Sequence, residues 1–318
     1  MAEFTTELSQ IRTASWVMVL ALLLAWESLV PFHAYFAGST GQRVRHGLRN
    51  LVLGVLNSLL TGLGFAALWW TTAQWAQAHE FGLLNWLPMP VWARVGGAFL
   101  LFDAWMYGWH RLNHWIPFFR RFHRTHHSDP KMDVTTANRF HIGEIALSSI
   151  LRVPVIALLG LQLWELALYE LAMFTVVQLH HANIALPMWL DRALRVVIVT
   201  PFMHKVHHSR WQPETDSNYS SLFSFWDRLF RTFRLRDDPG KLRFGLQEFD
   251  GQENHTLTGL LATPLKQVQQ EAGEARPKPE QILDWAQQTE VLEPAAPILD
   301  LPPWHYGFRF RRQQRSAS

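Results

Sequence analysis

Long apolar segments recur along the first half of the chain, separated by shorter polar ones. Residues 14–36, 51–70 and 91–109 are apolar runs in which charged residues are rare. A helix needs roughly twenty residues to cross a hydrocarbon core about 30 Å thick, so each run predicts a transmembrane helix. The first run lacks the basic segment and the small-residue cleavage site of a signal peptide, and we therefore expect it to be a retained membrane helix.

A fourth apolar region, residues 145–177, is broken near its middle by Pro154 and Gly160. It also carries three charged residues, Arg152, Glu165 and Glu170. Charged side chains inside apolar spans are rare unless they face a bundle interior or an aqueous cavity. We predict a helical hairpin in the membrane, over residues 144–160 and 162–183, which enters from the cytoplasm and returns there.

Basic residues are distributed unevenly between the polar segments. Arginines are frequent in the loop over residues 37–50 and around the histidine-rich segments, whereas no Lys or Arg occurs between Leu51 and Trp92, where tryptophans cluster. The positive-inside rule then places the histidines on the cytoplasmic side and the N-terminus and the tryptophan-rich connection outside. Glu27, late in the first run, is expected to snorkel towards the interface rather than to act in catalysis.

The composition narrows the class of protein and the kinds of metal site. The 318 residues are 48% hydrophobic, carry a net charge of +3 and include no cysteine. A positive charge suits nucleic acid or an anionic membrane surface; the apolar runs favour the membrane, and we expect no nucleic-acid partner. Without cysteine, disulfides and thiolate ligands are excluded, so a metal site must use nitrogen and oxygen ligands.

The last part of the chain is more polar. In residues 216–236 apolar positions recur at spacings of three and four, which predicts an amphipathic helix at the membrane interface or, equally well, a core helix. Beyond residue 265 the composition shifts to Gln, Glu and Pro, which predicts a poorly packed cytoplasmic tail. We therefore divide the chain into an N-terminal segment 1–13, a membrane-embedded domain 14–264 and a tail 265–318.

Histidines carry the strongest chemical signal in the chain. Eight of the sixteen histidines fall in three short patterns: H-x3-H with His110 and His114, H-x-x-H-H with His123, His126 and His127, and a second H-x-x-H-H with His204, His207 and His208. Residues three or four apart share one face of a helix, so each pattern is expected to present its imidazoles in one direction. A lone histidine is most often structural, and a histidine-rich tract can bind metal opportunistically. The repeated helical spacing favours a specific metal site over opportunistic binding. Eight imidazoles exceed what one ion can use, so we predict two metal ions.

These motifs resemble the fatty acid hydroxylase superfamily, also called the sterol desaturase family, of integral-membrane di-iron oxygenases. The resemblance covers roughly residues 15–260 and rests on HRLNH at 110–114, HRTHH at 123–127, RFHIGE at 139–144, HHAN at 180–183, HKVHH at 204–208 and NYSSLFSFWDRLFRT at 218–232. Three positions depart from the family pattern: Ile142 stands for a proline, and Ser220 and Arg231 each stand for a glycine. None of the three is a metal ligand in the family, so the departures bear on the subfamily rather than on activity.

The resemblance implies an all-α integral membrane protein with about three transmembrane helices, a membrane helical hairpin and a cytoplasmic helical cap that carries a multi-histidine di-metal site. It makes the eight histidines of the three patterns ligands of two iron ions, with His181 as a ninth. His180 and His141 remain open, since each is either a ligand or a neighbour of one.

Three further residues are predicted to have catalytic roles near this centre: Asp103, Glu144 and Asn183. Asp103 precedes His110 by seven residues on the same helix face and is expected to accept a hydrogen bond from a ligand imidazole. Glu144 lies one turn from His141 and is expected to orient it. Asn183 closes the HHAN motif.

The activity implied by the resemblance is O2-dependent hydroxylation of an unactivated C–H bond of a membrane lipid. Its electrons must come from a separate electron-transfer protein or reductase, because the chain has no G-x-G-x-x-G dinucleotide motif and no cysteine for an iron–sulfur cluster. The alternatives are a sterol-type desaturase that uses the same centre and a non-catalytic metal-binding membrane protein such as a transporter. A transporter is expected to place its ligands on broken helices near the bilayer midplane, whereas these motifs follow the apolar runs.

Overall fold

The computed structural model describes residues 2–36, 39–236 and 239–267, with side chains from residue 10 onward. Within these ranges the chain is helical and has no β-strand. The α-helices are α1 Ala2–Leu29, α2 Thr40–Leu59, α3 Ala66–Ala78, α4 Leu83–Trp86, α5 Val91–Trp115, α6 Pro117–His127, α7 Ile142–Leu159, α8 Leu163–His181, α9 Met188–Leu194, α10 Pro201–His207, α11 Gln212–Thr215, α12 Phe225–Leu229 and α13 Leu257–Ala262. Of the predicted tail, the part beyond residue 267 lies outside the described residues.

Within the described residues, three helical segments are long and apolar enough to cross a membrane: Gln10–Leu29, Thr40–Trp86 and Ile142–Leu159. The second joins α2 to α3 through a π-helical turn, Leu60–Phe65. The first two correspond to the predicted runs over 14–36 and 51–70. The third is α7, which the sequence predicted as the first arm of the membrane hairpin, and the run over 91–109 is not among them. That run lies in α5, where Arg94 and Asp103 interrupt the apolar sequence.

The polar residues of α5 have partners inside the protein. Arg94 forms an ion pair with Glu165 of α8 at 2.7 Å and donates to the carbonyl oxygen of Gly160 at 2.7 Å. Gly160 ends α7 with a φ of +69°, a left-handed conformation that glycine adopts without a steric penalty. The three residues between α7 and α8 thus form a tight turn fixed by α5.

The main hydrophobic core lies between α3, α5, α7 and α8. Phe102, Ile156, Tyr169 and Met173 are buried in it, together with Met203 of α10. Since α5, α8 and α10 all carry histidines at their C-terminal ends, this core fixes the relative positions of three histidine-bearing helices.

Glu27 does not snorkel to the interface, and this prediction is wrong. The side chain is 2% exposed, and its Oε2 accepts hydrogen bonds from the backbone N–H of Val134 at 3.0 Å and of Asn183 at 2.9 Å. Arg43 donates to Oε1 at 3.2 Å. The carboxylate therefore joins the end of α1 to the segments that follow α6 and α8. These buried hydrogen bonds explain why a charged residue lies late in an apolar run.

Residues 216–236 do not form the helix that the sequence predicted, either at the membrane interface or in the core. Only Phe225–Leu229 is helical. The carboxylate of Asp227 accepts from the backbone N–H of Tyr219 at 2.7 Å and of Ser220 at 3.1 Å, which folds the segment back on itself. The chain leaves the short helix at Arg231 with a φ of +59°, the conformation for which the family's glycine is suited.

Candidate metal centre

Four helices deliver the predicted ligands to one place. α5 ends with His110 and His114, and α6 starts directly after it because Ile116 is extended and Pro117 takes the first helical position. This reversal of the chain sets the two histidines of α5 against those of α6. The C-terminal end of α8 supplies His181, and α10, which also begins with a proline, supplies the last pattern.

The nine predicted ligands converge in two groups, and in each group the ligand atoms lie within 4.8 Å of one another. The first histidine group is His110, His114, His123, His127 and His207, and the second histidine group is His126, His181, His204 and His208. Each H-x-x-H-H pattern therefore contributes to both groups, contrary to the expectation that a pattern faces one way. The reason is that adjacent residues on a helix point about 100° apart, so the two neighbouring histidines at i+3 and i+4 of each pattern face different groups.

The arrangement of ring nitrogens fits metal ligation. In the second histidine group, Nε2 of His181 lies 3.2 Å from Nε2 of His126 and 3.1 Å from that of His204, and Nε2 of His204 lies 3.1 Å from that of His208. Adjacent nitrogens held at a metal–nitrogen distance of about 2.0–2.1 Å, as for zinc, are separated by about 3 Å. In the first group the Nε2 atoms of His110, His114 and His207 are buried and have no hydrogen-bond partner in the part of the chain that the structure describes. Lone pairs that converge in this way suit a cation.

Hydrogen bonds at the opposite ring nitrogen fix five of the imidazoles. The acceptors are Tyr219 O for His110 (2.8 Å), Asp216 Oδ1 for His114 (3.2 Å), Glu144 Oε1 for His123 (2.9 Å), Val177 O for His181 (2.7 Å) and Ser217 O for His207 (2.7 Å). Because these oxygens accept, each Nδ1 carries the proton and each Nε2 keeps its lone pair for a metal.

Burial keeps four imidazoles of the two H-x-x-H-H patterns neutral: His126, His127, His207 and His208. Desolvation lowers the pKa of His207 to about 3. Desolvation, followed by repulsion from the neighbouring imidazoles, holds the pKa values of His126, His127 and His208 well below the usual range. A neutral imidazole is the form that binds metal, so these side chains are ready to act as ligands near pH 7.

The predicted catalytic acids and amide occupy three different positions. Glu144 orients His123 and not His141, because α7 packs against α6 at this point. Asp103 accepts from the hydroxyl of Tyr169 at 2.6 Å and from the indole N–H of Trp226 at 2.9 Å. It therefore joins α5 to α8 and α12, whereas the sequence predicted a hydrogen bond to a ligand imidazole.

Asn183 is bound to the segment that follows α1. Its side chain accepts from the backbone N–H of His33 at 2.9 Å and donates to the carbonyl oxygen of His33 at 2.7 Å. Through these contacts Asn183 stabilises the C-terminal end of α8. A role in the reaction itself remains a prediction.

The two histidines left open by the sequence lie outside both histidine groups. His141 caps α7 by accepting from the backbone N–H of Gly143 at 2.9 Å, and its other nitrogen contacts the carbonyl oxygen of Leu261 at 3.1 Å. His180 is buried with its ring centroid 3.8 Å from that of His204. His180 therefore packs beside the second histidine group.

Sequence reasoning missed two supports of the centre. Lys205 lies within the last pattern and is fully buried, and its ammonium donates to the carbonyl oxygens of Ala182 at 2.9 Å and Ile184 at 3.3 Å, which ties α10 to the end of α8. The carbonyl groups of Ser217 and Tyr219 hold two imidazoles, and no side-chain pattern signals a backbone acceptor. For Lys205, the signal available in the sequence was a lysine within a histidine pattern.

A cavity of about 540 Å³ adjoins both histidine groups. It is lined by His110 and His123 of the first group and by His126, His181 and His204 of the second. Apolar side chains, among them Trp69, Met106, Met173 and Phe174, form much of the remaining wall. Its volume is within the range of pockets for small ligands, about 300–1,000 Å³.

Residues 95–232 match the family model described as fatty acid hydroxylase. The chain carries a fatty acid hydroxylase domain. The matched residues include all nine histidines of the two groups, together with the residues whose oxygen atoms fix five of them. No solved structure matches the chain.

Curated relatives of the fatty acid hydroxylase domain are lipid-modifying oxidoreductases. The chain is 28% identical over 239 residues to alkylglycerol monooxygenase of Homo sapiens, covering 72% of this chain and 48% of the relative. It is 27% identical over 239 residues to ornithine lipid hydroxylase OlsE of Rhizobium tropici, covering 73% and 69% respectively. Cholesterol 25-hydroxylase of Rattus norvegicus is 24% identical over 167 residues, 50% of this chain and 53% of the relative. The chain thus spans about half the length of the first and third of these relatives.

Proposed function

We propose that this protein is a di-iron oxygenase that uses O2 to hydroxylate an unactivated C–H bond of a membrane lipid. The observation that carries the proposal is the cavity whose wall includes histidines of both groups on one side and apolar side chains on the other. An alkyl chain in this cavity would lie beside both metal positions. The helices long enough to span a membrane would give such a chain access from the bilayer.

The residues of the chain have separate tasks in this proposal. The first histidine group would hold one iron ion and the second histidine group the other. When bound, the iron ions would supply the activation of O2 and the oxidation of the C–H bond. Glu144 and the carbonyl group of Ser217 hold imidazoles in place, and the apolar wall of the cavity excludes water from the reacting chain. A separate electron-transfer protein would deliver the electrons.

Labelled oxygen tests the proposed reaction. The purified protein, in lipid bilayer discs with ferrous iron and a reductant, is supplied with ¹⁸O2, and the lipids are analysed by mass spectrometry. We expect a lipid that has gained one labelled oxygen atom. A lipid that has lost two hydrogen atoms without gaining oxygen would identify a desaturase, and unchanged lipids would contradict an enzymatic role.

We also propose that the metal centre faces the cytoplasm. The chain contains no cysteine, so single cysteines placed at exposed positions report sidedness without a background. In intact cells, His79→Cys in the connection after α3 should react with a membrane-impermeant maleimide, whereas Arg45→Cys at the start of α2 should react only after the membrane is opened. The reverse labelling would overturn this orientation.

The two adjacent histidines at the end of α8 should differ in their effects. His181 lies in the second histidine group and His180 does not, since neighbours on a helix point about 100° apart. His181→Ala should retain much of the metal, because the other ligands remain, but lose most turnover, whereas His180→Ala should keep measurable activity. Metal analysis and turnover of both variants check this. Equal and complete inactivation would show that His180 contributes as much as His181.

A further inference from the structure

A charged cluster lies in the cavity wall, apart from the histidines. Glu170 of α8 pairs with two arginines: its Oε2 lies 2.6 Å from Nη1 of Arg12 in α1, and its Oε1 lies 2.5 Å from Nη1 of Arg152 in α7. All three side chains line the cavity. We call them the arginine–glutamate cluster. Ionisable residues inside membrane-embedded helices are costly and commonly mark a functional site.

Two cations share a single anion in this cluster, which gives the cluster a net positive charge; the side chain of Arg12 is 39% exposed and that of Arg152 is 11% exposed. Arg152 as a whole residue is 9% exposed, and its guanidinium carbon lies 4.6 Å from the ring centroid of Trp69. Its Nε is buried and has no hydrogen-bond partner among the described residues. The other carboxylate in the cavity wall is Glu144, which bonds His123. A buried N–H donor without an acceptor costs free energy, and an anionic ligand would supply an acceptor for Nε of Arg152 and offset the net positive charge.

The cluster and the histidines lie at different levels along the same helices. On α7, Arg152 follows Glu144 by eight residues, or about 12 Å of helix axis, and on α8, Glu170 precedes His181 by eleven residues, or about 16 Å. Met173, Phe174 and Val177 of α8 line the cavity between these levels. Along the axes of α7 and α8, the cavity wall is therefore charged at the arginine–glutamate cluster, apolar in the middle and lined by the histidines at the far end.

We propose that the arginine–glutamate cluster binds the anionic headgroup of the lipid substrate, a carboxylate or a phosphate, while the alkyl chain extends past the apolar middle to the histidines. The guanidinium group is suited to this because its planar donors match the oxygens of both anions. The proposal rests on the proposed function and adds the substrate class. It also places the oxidised carbon in the alkyl chain, remote from the headgroup.

Binding to the full-length, metal-free protein in detergent tests the headgroup preference without turnover. The probes are chain-brominated hexadecanoic acid, its methyl ester and the matching hexadecyl phosphate, and binding is read from quenching of tryptophan fluorescence. Charge-assisted hydrogen bonds of about 1.5–3 kcal/mol predict that the acid or the phosphate binds at least ~10-fold more tightly than the ester. The tighter of the two anions identifies the headgroup.

Variants separate recognition from a purely structural role. Arg152→Gln should abolish most of the preference for the anion while leaving the affinity for the ester unchanged. Glu170→Gln should increase the preference, because both arginines lose their competing carboxylate, and it provides a test if Arg152→Gln fails to fold. Arg45→Gln removes the same charge at an exposed site of α2 and should change nothing. Equal affinities of wild-type protein for all three probes, or equal losses for acid and ester in Arg152→Gln, would overturn the proposal.

The labelled-oxygen experiment distinguishes a failure of this inference from a failure of the proposed function. An anion preference without any oxygenated lipid would contradict the oxygenase and support the headgroup site. Oxygenation of anionic and neutral lipids with the same KM, or oxygen inserted beside the headgroup, would contradict the headgroup site and leave the oxygenase intact.

Discussion

His207→Ala is expected to reduce lipid oxidation by at least about 100-fold and to lower the amount of metal bound. His207 is fully buried, and the carbonyl group of Ser217 fixes its Nδ1. Its Nε2 has no hydrogen-bond partner within the described residues and is the atom that would bind a metal. Loss of groups that merely support a ligand costs about 10–100-fold in metal affinity or activity, so loss of a ligand itself should cost more. Oxygenated lipid and bound iron, measured on the same preparation, check the result.

His79→Ala is the matched control for this change. His79 is an exposed histidine after α3 whose ring contacts the carbonyl oxygen of Trp75 and lies outside both histidine groups. The control should keep wild-type activity and metal content. If His207→Ala folds normally and retains full activity, the first histidine group is not part of the reaction centre.

Glu144→Gln should lower metal affinity or turnover by about 10–100-fold, the usual effect of removing the partner of a ligand histidine. The amide keeps an acceptor oxygen near Nδ1 of His123 but loses the negative charge that makes the imidazole a stronger ligand. Competition with a chelator measures the affinity of the variant for iron. Glu248→Gln, at an exposed position before Phe249, removes the same charge elsewhere and should leave the affinity unchanged.

A structural role for Glu144 predicts a different result. If the carboxylate only holds α7 against α6, Glu144→Gln would lower the unfolding temperature of the metal-free protein and leave the chelator competition unchanged. That outcome would contradict the assignment of Glu144 as a positioning residue for His123.

The histidine content of the centre was predictable from the sequence, but its division into two groups was not. The spacing within HRTHH and HKVHH places these residues on helix faces, and the structure brings together all nine proposed ligands. Which histidine joins which group depends on how α5, α6, α8 and α10 converge, and helical periodicity contains no information on the packing of separate helices.

The wrong predictions share a physical cause. Glu27 was expected at the interface and Asp103 beside an imidazole, yet both accept hydrogen bonds from groups distant in sequence. Glu144 was paired with His141 one turn away, whereas its partner His123 lies on another helix. In residues 216–236, the backbone bonds to Asp227 outweigh an apolar periodicity that suits a helix. In each case a tertiary contact overrides a preference read from nearby residues.

The metal content of the purified wild-type protein tests the central claim most directly. Elemental analysis should find close to two metal ions per chain, one for each histidine group. Zinc in place of iron would still count, because imidazole sites accept zinc readily. The double variant His114→Ala/His127→Ala, which removes two ligands of the first histidine group only, should retain close to one ion. A single metal ion in the wild-type protein, or two in the double variant, would contradict the two-metal centre.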